Sequence, residues 1–220
     1  MPFINGEYFN STFNIITETE NGTSFILTIS EKQYLITAKH LFKGVANGEY
    51  KTFSIYINDI LTPLSGKVYI CPNVNVDIAV VPLEEHIIAK YEFSITGGNY
   101  SIGEDVFFFG YPYYLSQTLT NVKFKMPLVK TAIVSGVNYQ DDCVQIYLDG
   151  HNNPGFSGGP VGYFNEREQR LHILSVISGY ITQNNNIITS AGVIITPENS
   201  GIIISYSIKH VNDILHLNKI

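Results

Sequence analysis

Ser157 stands in the run Asn153-Pro154-Gly155-Phe156-Ser157-Gly158-Gly159-Pro160, a setting in which a serine hydroxyl can serve as a nucleophile. The hydroxyl alone is a poor one. It needs a base to take its proton, and N–H groups aimed at the oxygen of a tetrahedral intermediate. Glycine on both sides allows a tight turn in which the Gly155 and Ser157 N–H groups converge, while Gly158 and Gly159 leave room for a substrate. The same residues also read as an ordinary glycine-rich β-turn.

A base and an acid occur upstream. In Tyr34-Leu35-Ile36-Thr37-Ala38-Lys39-His40 an apolar strand delivers an imidazole at its end. In Asn75-Val76-Asp77-Ile78-Ala79-Val80-Val81 one acid heads an otherwise apolar strand, where a carboxylate needs a partner. Taken singly, His40 reads as a surface histidine and Asp77 as a turn residue. Asp59 is a rival acid, but Asn58-Asp59 has the look of an exposed turn. Together the three fall in the order His40, Asp77, Ser157. That is the order of chymotrypsin-like proteases and not of subtilisins or α/β-hydrolases. His86, His172, His210 and His216 have no metal-type spacing with another His or Cys, so no metal site and no cofactor are expected.

The elements that must position these residues are strands. Thirty isoleucines, 16 valines, 15 threonines, 15 tyrosines and 13 phenylalanines stand against 6 alanines and 14 leucines. β-branched and aromatic side chains suit a pleated surface and lose freedom in a helix. Twenty asparagines and 18 glycines supply turns. Short apolar runs recur between turn signals, among them 24–30, 34–37, 78–82, 105–110, 125–137, 143–148 and 190–195, a spacing that points to a sandwich or barrel. Asn184-Asn185-Asn186 reads as a hairpin tip, and Thr96-Gly97-Gly98-Asn99 marks a linker. Ile208, Val211, Ile214 and Leu215 share one face of a C-terminal helix with Ser207 as its N-cap. The expected organisation is an N-terminal β unit over 1–95, a linker over 96–104, a second β unit over 105–206 and a helix over 207–220.

Charge narrows the partners. Thirteen basic against 19 acidic residues give a net charge of −6, with no long Lys/Arg run, which argues against nucleic acid and against an acidic membrane surface. The apolar runs are far below the roughly 20 residues needed to cross a bilayer. The start MPFINGEYFNSTF has neither a basic opening nor an apolar stretch, so no signal peptide is expected. With only Cys71 and Cys143 available for one bridge, a reducing, cytoplasmic setting is expected.

The chain resembles the trypsin-like serine proteases, and among them the bacterial HtrA-type protease domain, from about Gly22 to Leu215. Gly22-Thr23-Ser24-Phe25-Ile26 and the His40 strand are similar to the family's first hairpin and histidine strand. Asp77-Ile78-Ala79-Val80-Val81 matches its acid strand, and Asn153 to Pro160 its nucleophile loop. Segments 102–112, 131–135 and 201–207 resemble the opening of its second barrel, the strand after it and the final strand. The resemblance implies two six-stranded antiparallel β-barrels with a C-terminal helix, an active site in the cleft between them, and endopeptidase action on a protein or peptide substrate. His40 would be the general base, Asp77 its orienting acid, Ser157 the nucleophile, and the Gly155 and Ser157 amides the oxyanion hole.

The resemblance also sets limits. The sequence stops at Ile220, so a following PDZ domain and PDZ-controlled activation are not carried over. Phe156 stands where digestive relatives have an Asp that pairs with a freshly cut N-terminus, so no such activation is expected. His151 occupies the position at the base of the specificity pocket, with walls expected from Ile177-Ser178-Gly179 and Gly201-Ile202-Ile203. Without an Asp there, a preference for Lys or Arg is not expected. Either His151 donates to an acidic or amide side chain, or it points to solvent and the apolar walls select an aliphatic residue. A protease-fold binding module and an esterase remain the competing functions.

Overall fold

The computed structural model describes residues 6–87, 100–118, 125–165, 167–168, 170–190 and 192–220. The twelve strands of these residues form two closed antiparallel barrels of six. The first comprises β1 (Thr12–Ile16), β2 (Asn21–Ile29), β3 (Lys32–Thr37), β4 (Glu49–Ile57), β5 (Ile60–Ile70) and β6 (Ala79–Pro82). Their spatial order is β1-β2-β3-β6-β5-β4. The second comprises β7 (Asp105–Gly110), β8 (Leu128–Gln140), β9 (Cys143–Asp149), β10 (Pro160–Asn165), β11 (Arg170–Thr189) and β12 (Gly192–Ser207). Its order, β10-β11-β12-β9-β8-β7, repeats that of the first barrel.

Period-2 alternation explains why so many strands read as unbroken apolar runs. On β2, Ile26 enters the first barrel's core while Phe25 and Leu27 face outward. On β3, Leu35 is inside and Tyr34 and Ile36 are outside. On β7, Val106 and Phe108 fill the second barrel, and Phe107 and Phe109 lie outside it. The outward residues of both barrels form one shared cluster, so these strands are buried on both faces. Each fully buried aliphatic or aromatic side chain there contributes roughly 1.5–3 kcal/mol. The C-terminal helix α2 (Lys209–Asn218) seals this cluster with the face that the spacing indicates: Ile208, Val211, Ile214 and Leu215 are buried in it. Ile208 already has helical dihedrals, and the Ser207 hydroxyl accepts from the Lys209 N–H at 3.4 Å, as an N-cap does. At the other end a five-residue helix α1 (Gly6–Asn10), not anticipated from the sequence, adds buried Tyr8, whose hydroxyl accepts from Leu171 N–H at 2.5 Å.

Three expectations are corrected. Asn184, Asn185 and Asn186 are not a hairpin tip but lie inside β11, paired with Pro197, Thr196 and Ile195. The Asn185 side chain bonds Glu198 at 2.9 Å, and the β11–β12 connection falls instead between Thr189 and Gly192, whose φ of +133° glycine tolerates. The strand expected over 190–195 therefore starts at Gly192 and runs to Ser207. The one expected over 125–137 begins only at Leu128. The Asn58-Asp59 turn stands as expected, both residues having positive φ between β4 and β5. Of the segment expected as a linker, Thr96 to Asn99 lie outside the described residues.

Candidate active site

His40 sits on a single 3-10 turn (Lys39–Leu41) directly after β3. Thr37 at the strand end donates its hydroxyl to Thr23 O at 2.7 Å, and Leu41 is buried below, so the turn is anchored on both sides. Lys39 Nζ reaches Val74 O at 2.7 Å, tying this turn to the loop that carries Asp77. Asp77 lies between Val76 and Ile78, both fully buried, and its side chain is only 13% exposed. The apolar flanks hold the carboxylate in place at the head of β6.

Asp77 is paired as its burial demands. His40 Nδ1 lies 2.7 Å from Oδ2, and the His40 backbone N–H donates to Oδ1 at 2.9 Å. Ser178 Oγ donates to Oδ2 at 2.5 Å. A carboxylate can only accept, so the neutral imidazole carries its proton on Nδ1 and leaves Nε2 as a proton acceptor. Burial alone would lower the His40 pKa, but the hydrogen bond and charge of Asp77, with a smaller effect from Glu20, raise it above its ordinary value. Burial pushes Asp77 upward, and the His40 and Ser178 bonds outweigh it, leaving that carboxyl below the usual range.

The serine loop is two successive tight turns. Phe156 N–H bonds Asn153 O at 3.2 Å across Pro154 and Gly155, and Gly159 N–H bonds Phe156 O at 2.8 Å across Ser157 and Gly158. Gly155 (φ +103°) and Gly158 (φ +84°) occupy the third position of each, as type II turns require. A Cβ on Gly155 would stand 2.5 Å from Tyr111 O, and one on Gly158 2.1 Å from Thr23 O. Among the described residues the Gly155 and Ser157 N–H groups have no hydrogen-bond acceptor. Phe156 is fully buried edge-on against Phe108, with ring centroids 5.0 Å apart, and packs into the second barrel.

Thr23 of the first barrel clamps this loop of the second. Its N–H donates to Ser157 O at 2.8 Å and its hydroxyl to Gly155 O at 2.7 Å. Lys130 of β8 supports the other side, bonding His151 O and, at 3.3 Å, Asn153 Oδ1. Neither residue was singled out from the sequence, since nothing local marks a Thr or Lys as reaching a loop more than 20 positions away.

The structure connects Ser157 to the His40–Asp77 pair through Ser178, but the serine hydroxyl is bonded away from the imidazole. Ser157 Oγ donates to Ser178 O at 2.9 Å, and among the described residues no bond joins it to His40. Ser178, expected as a pocket wall, instead touches both Ser157 and Asp77. Of the other expected wall residues, Ile177 and Ile203 are fully buried in the second barrel's core rather than on a pocket wall. Gly179 borders open space, and its carbonyl accepts from Asn152 Nδ2 at 3.2 Å. The His151 side chain is exposed, with its carbonyl turned to Lys130. Among the described residues no three His, Cys, Asp or Glu side chains cluster as metal ligands. None of the described helices is long and apolar enough to cross a membrane.

Residues 22–170 match the trypsin-like peptidase domain family. No curated protein matches the sequence. Among solved structures, the Rv3671c protease in its inactive form is 16% identical with a TM-score of 0.61, over 96% of this chain and 90% of that one. The active form of that protease, from M. tuberculosis, gives 15% and 0.59, over 96% and 82%. The HtrA-type protease AlgW, solved with a tripeptide, gives 15% and 0.62 over 94% of this chain, which spans only 60% of that longer one. At these identities the likeness is one of fold.

Proposed function

The chain belongs to the trypsin-like peptidase family; from this premise we propose that it is a serine endopeptidase in which His40, Asp77 and Ser157 hydrolyse peptide bonds through an acyl-enzyme. The observation that carries this reading is the triply bonded Asp77 carboxylate, which holds His40 with Nε2 as its free acceptor. Ser157 Oγ leaves the Ser178 carbonyl by rotation about χ1 and gives its proton to Nε2 as it attacks the scissile carbonyl. The Gly155 and Ser157 N–H groups receive the oxyanion. The imidazolium, stabilised by Asp77, then protonates the leaving amine, and water repeats the sequence to release the acyl group. The substrate is a protein or peptide, in keeping with the peptide-bound AlgW structure, and the chemistry needs no cofactor.

The orientation of Ser157 favours one competing reading, a protease fold that captures a partner without turning it over. Labelling by a serine-directed phosphonate separates the two. Covalent mass gain on Ser157 together with cleavage of a peptide library supports the endopeptidase. Labelling with ester but no peptide cleavage supports an esterase, and no labelling supports the binder.

A further inference from the structure

A cavity of about 330 Å³ is lined in part by Tyr111, and none of the three triad residues lines it. Among the described residues its walls carry five aromatic residues, Phe9, Phe13, Tyr56, Tyr111 and Tyr114. Asn14 also belongs to the wall. It is 4% exposed, and among the described residues neither its Nδ2 nor its Oδ1 has a hydrogen-bond partner. A buried carboxamide with both ends unpaired bears its full desolvation penalty, so a matching group that bonds it relieves that penalty. In this arrangement the carboxamide is covered, and capture requires it to turn toward the cavity. No hydrogen bond of its own opposes that turn. Among the described lining residues Lys125 and Asp59 balance each other in charge, so this part of the wall favours no net charge.

We propose that this cavity binds a small neutral ligand that joins an aromatic or aliphatic body to an amide group, the amide pairing with Asn14. An amide offers the acceptor and the donor that Nδ2 and Oδ1 each lack. The size suits a compact ligand at the lower end of small-molecule sites. The wall also reaches the serine loop. Tyr113 N–H donates to Pro154 O at 3.2 Å, and Tyr111 O lies where a Cβ on Gly155 would stand. A ligand that fixes Tyr111 and Tyr114 therefore fixes the backbone on which Gly155 rests. An effect on hydrolysis rests on the proposed function, whereas binding does not.

The test uses full-length protein carrying Ser157→Ala, so that turnover plays no part. Two amides, 3-phenylpropionamide and N-acetylphenylalaninamide, are titrated against methyl 3-phenylpropionate, and the Asn14 side-chain amide and Tyr111 signals are followed by NMR. Saturable shifts at both residues are expected, with the ester binding at least about tenfold more weakly than the better amide, as loss of one buried hydrogen bond implies. A better fit for the acetylated amino-acid amide identifies a peptide segment as the source, and a better fit for the simple amide identifies a free small molecule. Asn14→Leu is expected to erase the preference for amide over ester. The proposal is overturned if neither amide gives saturable shifts, if amide and ester bind equally, or if the shifts map to His40 and Ser178 instead. The comparison between ligands stands even if Asn14→Leu does not fold.

Discussion

Ser178 donates its hydroxyl to Asp77 across 101 positions of sequence, at 2.5 Å, while its carbonyl accepts the Ser157 hydroxyl at 2.9 Å. One residue of the second barrel therefore steadies the acid contributed by the first and parks the serine of its own barrel. Removing the hydroxyl in Ser178→Ala leaves Asp77 with His40 alone. The carboxylate becomes more basic and holds the imidazolium more tightly, so the acid limb of the kcat/KM profile should move to higher pH. A pH–rate series on the variant checks this, and an unmoved limb would show that Ser178 does not act through Asp77.

Ser157→Ala should lower kcat by on the order of 10⁶ and leave the fold intact. The hydroxyl makes one bond, to Ser178 O, so its loss costs about 1 kcal/mol. Peptide hydrolysis and a denaturation curve on the same sample test both halves.

In the proposed mechanism His40 must be neutral to accept the serine proton, and its pKa is raised. Activity should therefore fall on acidification at a pH above the ordinary histidine value of about 6.5. Asp77→Asn removes the cause, shifting that limb downward and reducing kcat by about 10⁴. Stability follows the same linkage. A raised His40 pKa adds stability that is fully present below its unfolded value and is lost as pH rises through the folded one. The depressed Asp77 pKa adds stability above its unfolded value, lost as pH falls through the folded one. Urea midpoints measured from pH 3 to 9 for wild type, His40→Gln and Asp77→Asn report these contributions.

Gly158→Ala should destabilise by about 2 kcal/mol or more. A left-handed φ of +84° costs a Cβ about 1–2 kcal/mol, and this one would also press on Thr23 O and Thr37 Oγ1. Because Thr23 clamps the loop, activity should fall further than stability, as thermal melts compared with kcat/KM will show.

His151→Ala should leave the cleavage preference unchanged. The side chain is exposed, and only the carbonyl, which the substitution retains, holds Lys130. Peptide-library profiles of wild type and variant decide the matter, and a shift away from acidic or amide residues in the variant would restore a selecting role to the imidazole.

The residues of the candidate site stood out in the sequence because local steric and chemical demands mark them. Gly155 and Gly158 are glycine since no Cβ fits against Tyr111 and Thr23, and Asp77 announced itself as a charge among buried neighbours. Strand identity was legible for a related reason: outward and inward residues of β2, β3 and β7 are both buried, so their composition is apolar throughout. That same uniformity hid which face each residue takes. Ile177 and Ile203 look like pocket walls in the chain and lie in the barrel core, because register, set by pairing with distant strands, decides the face. Asn184 to Asn186 look like a turn, yet ladder bonds to β12 hold them extended. Whatever depends on the two barrels meeting was out of reach of sequence patterns: Thr23 on Ser157, Ser178 on Asp77, and the unpaired Asn14 beside its cavity. Those contacts join residues about 100 or more positions apart, or rest on what surrounds a side chain in space, and no local preference encodes either.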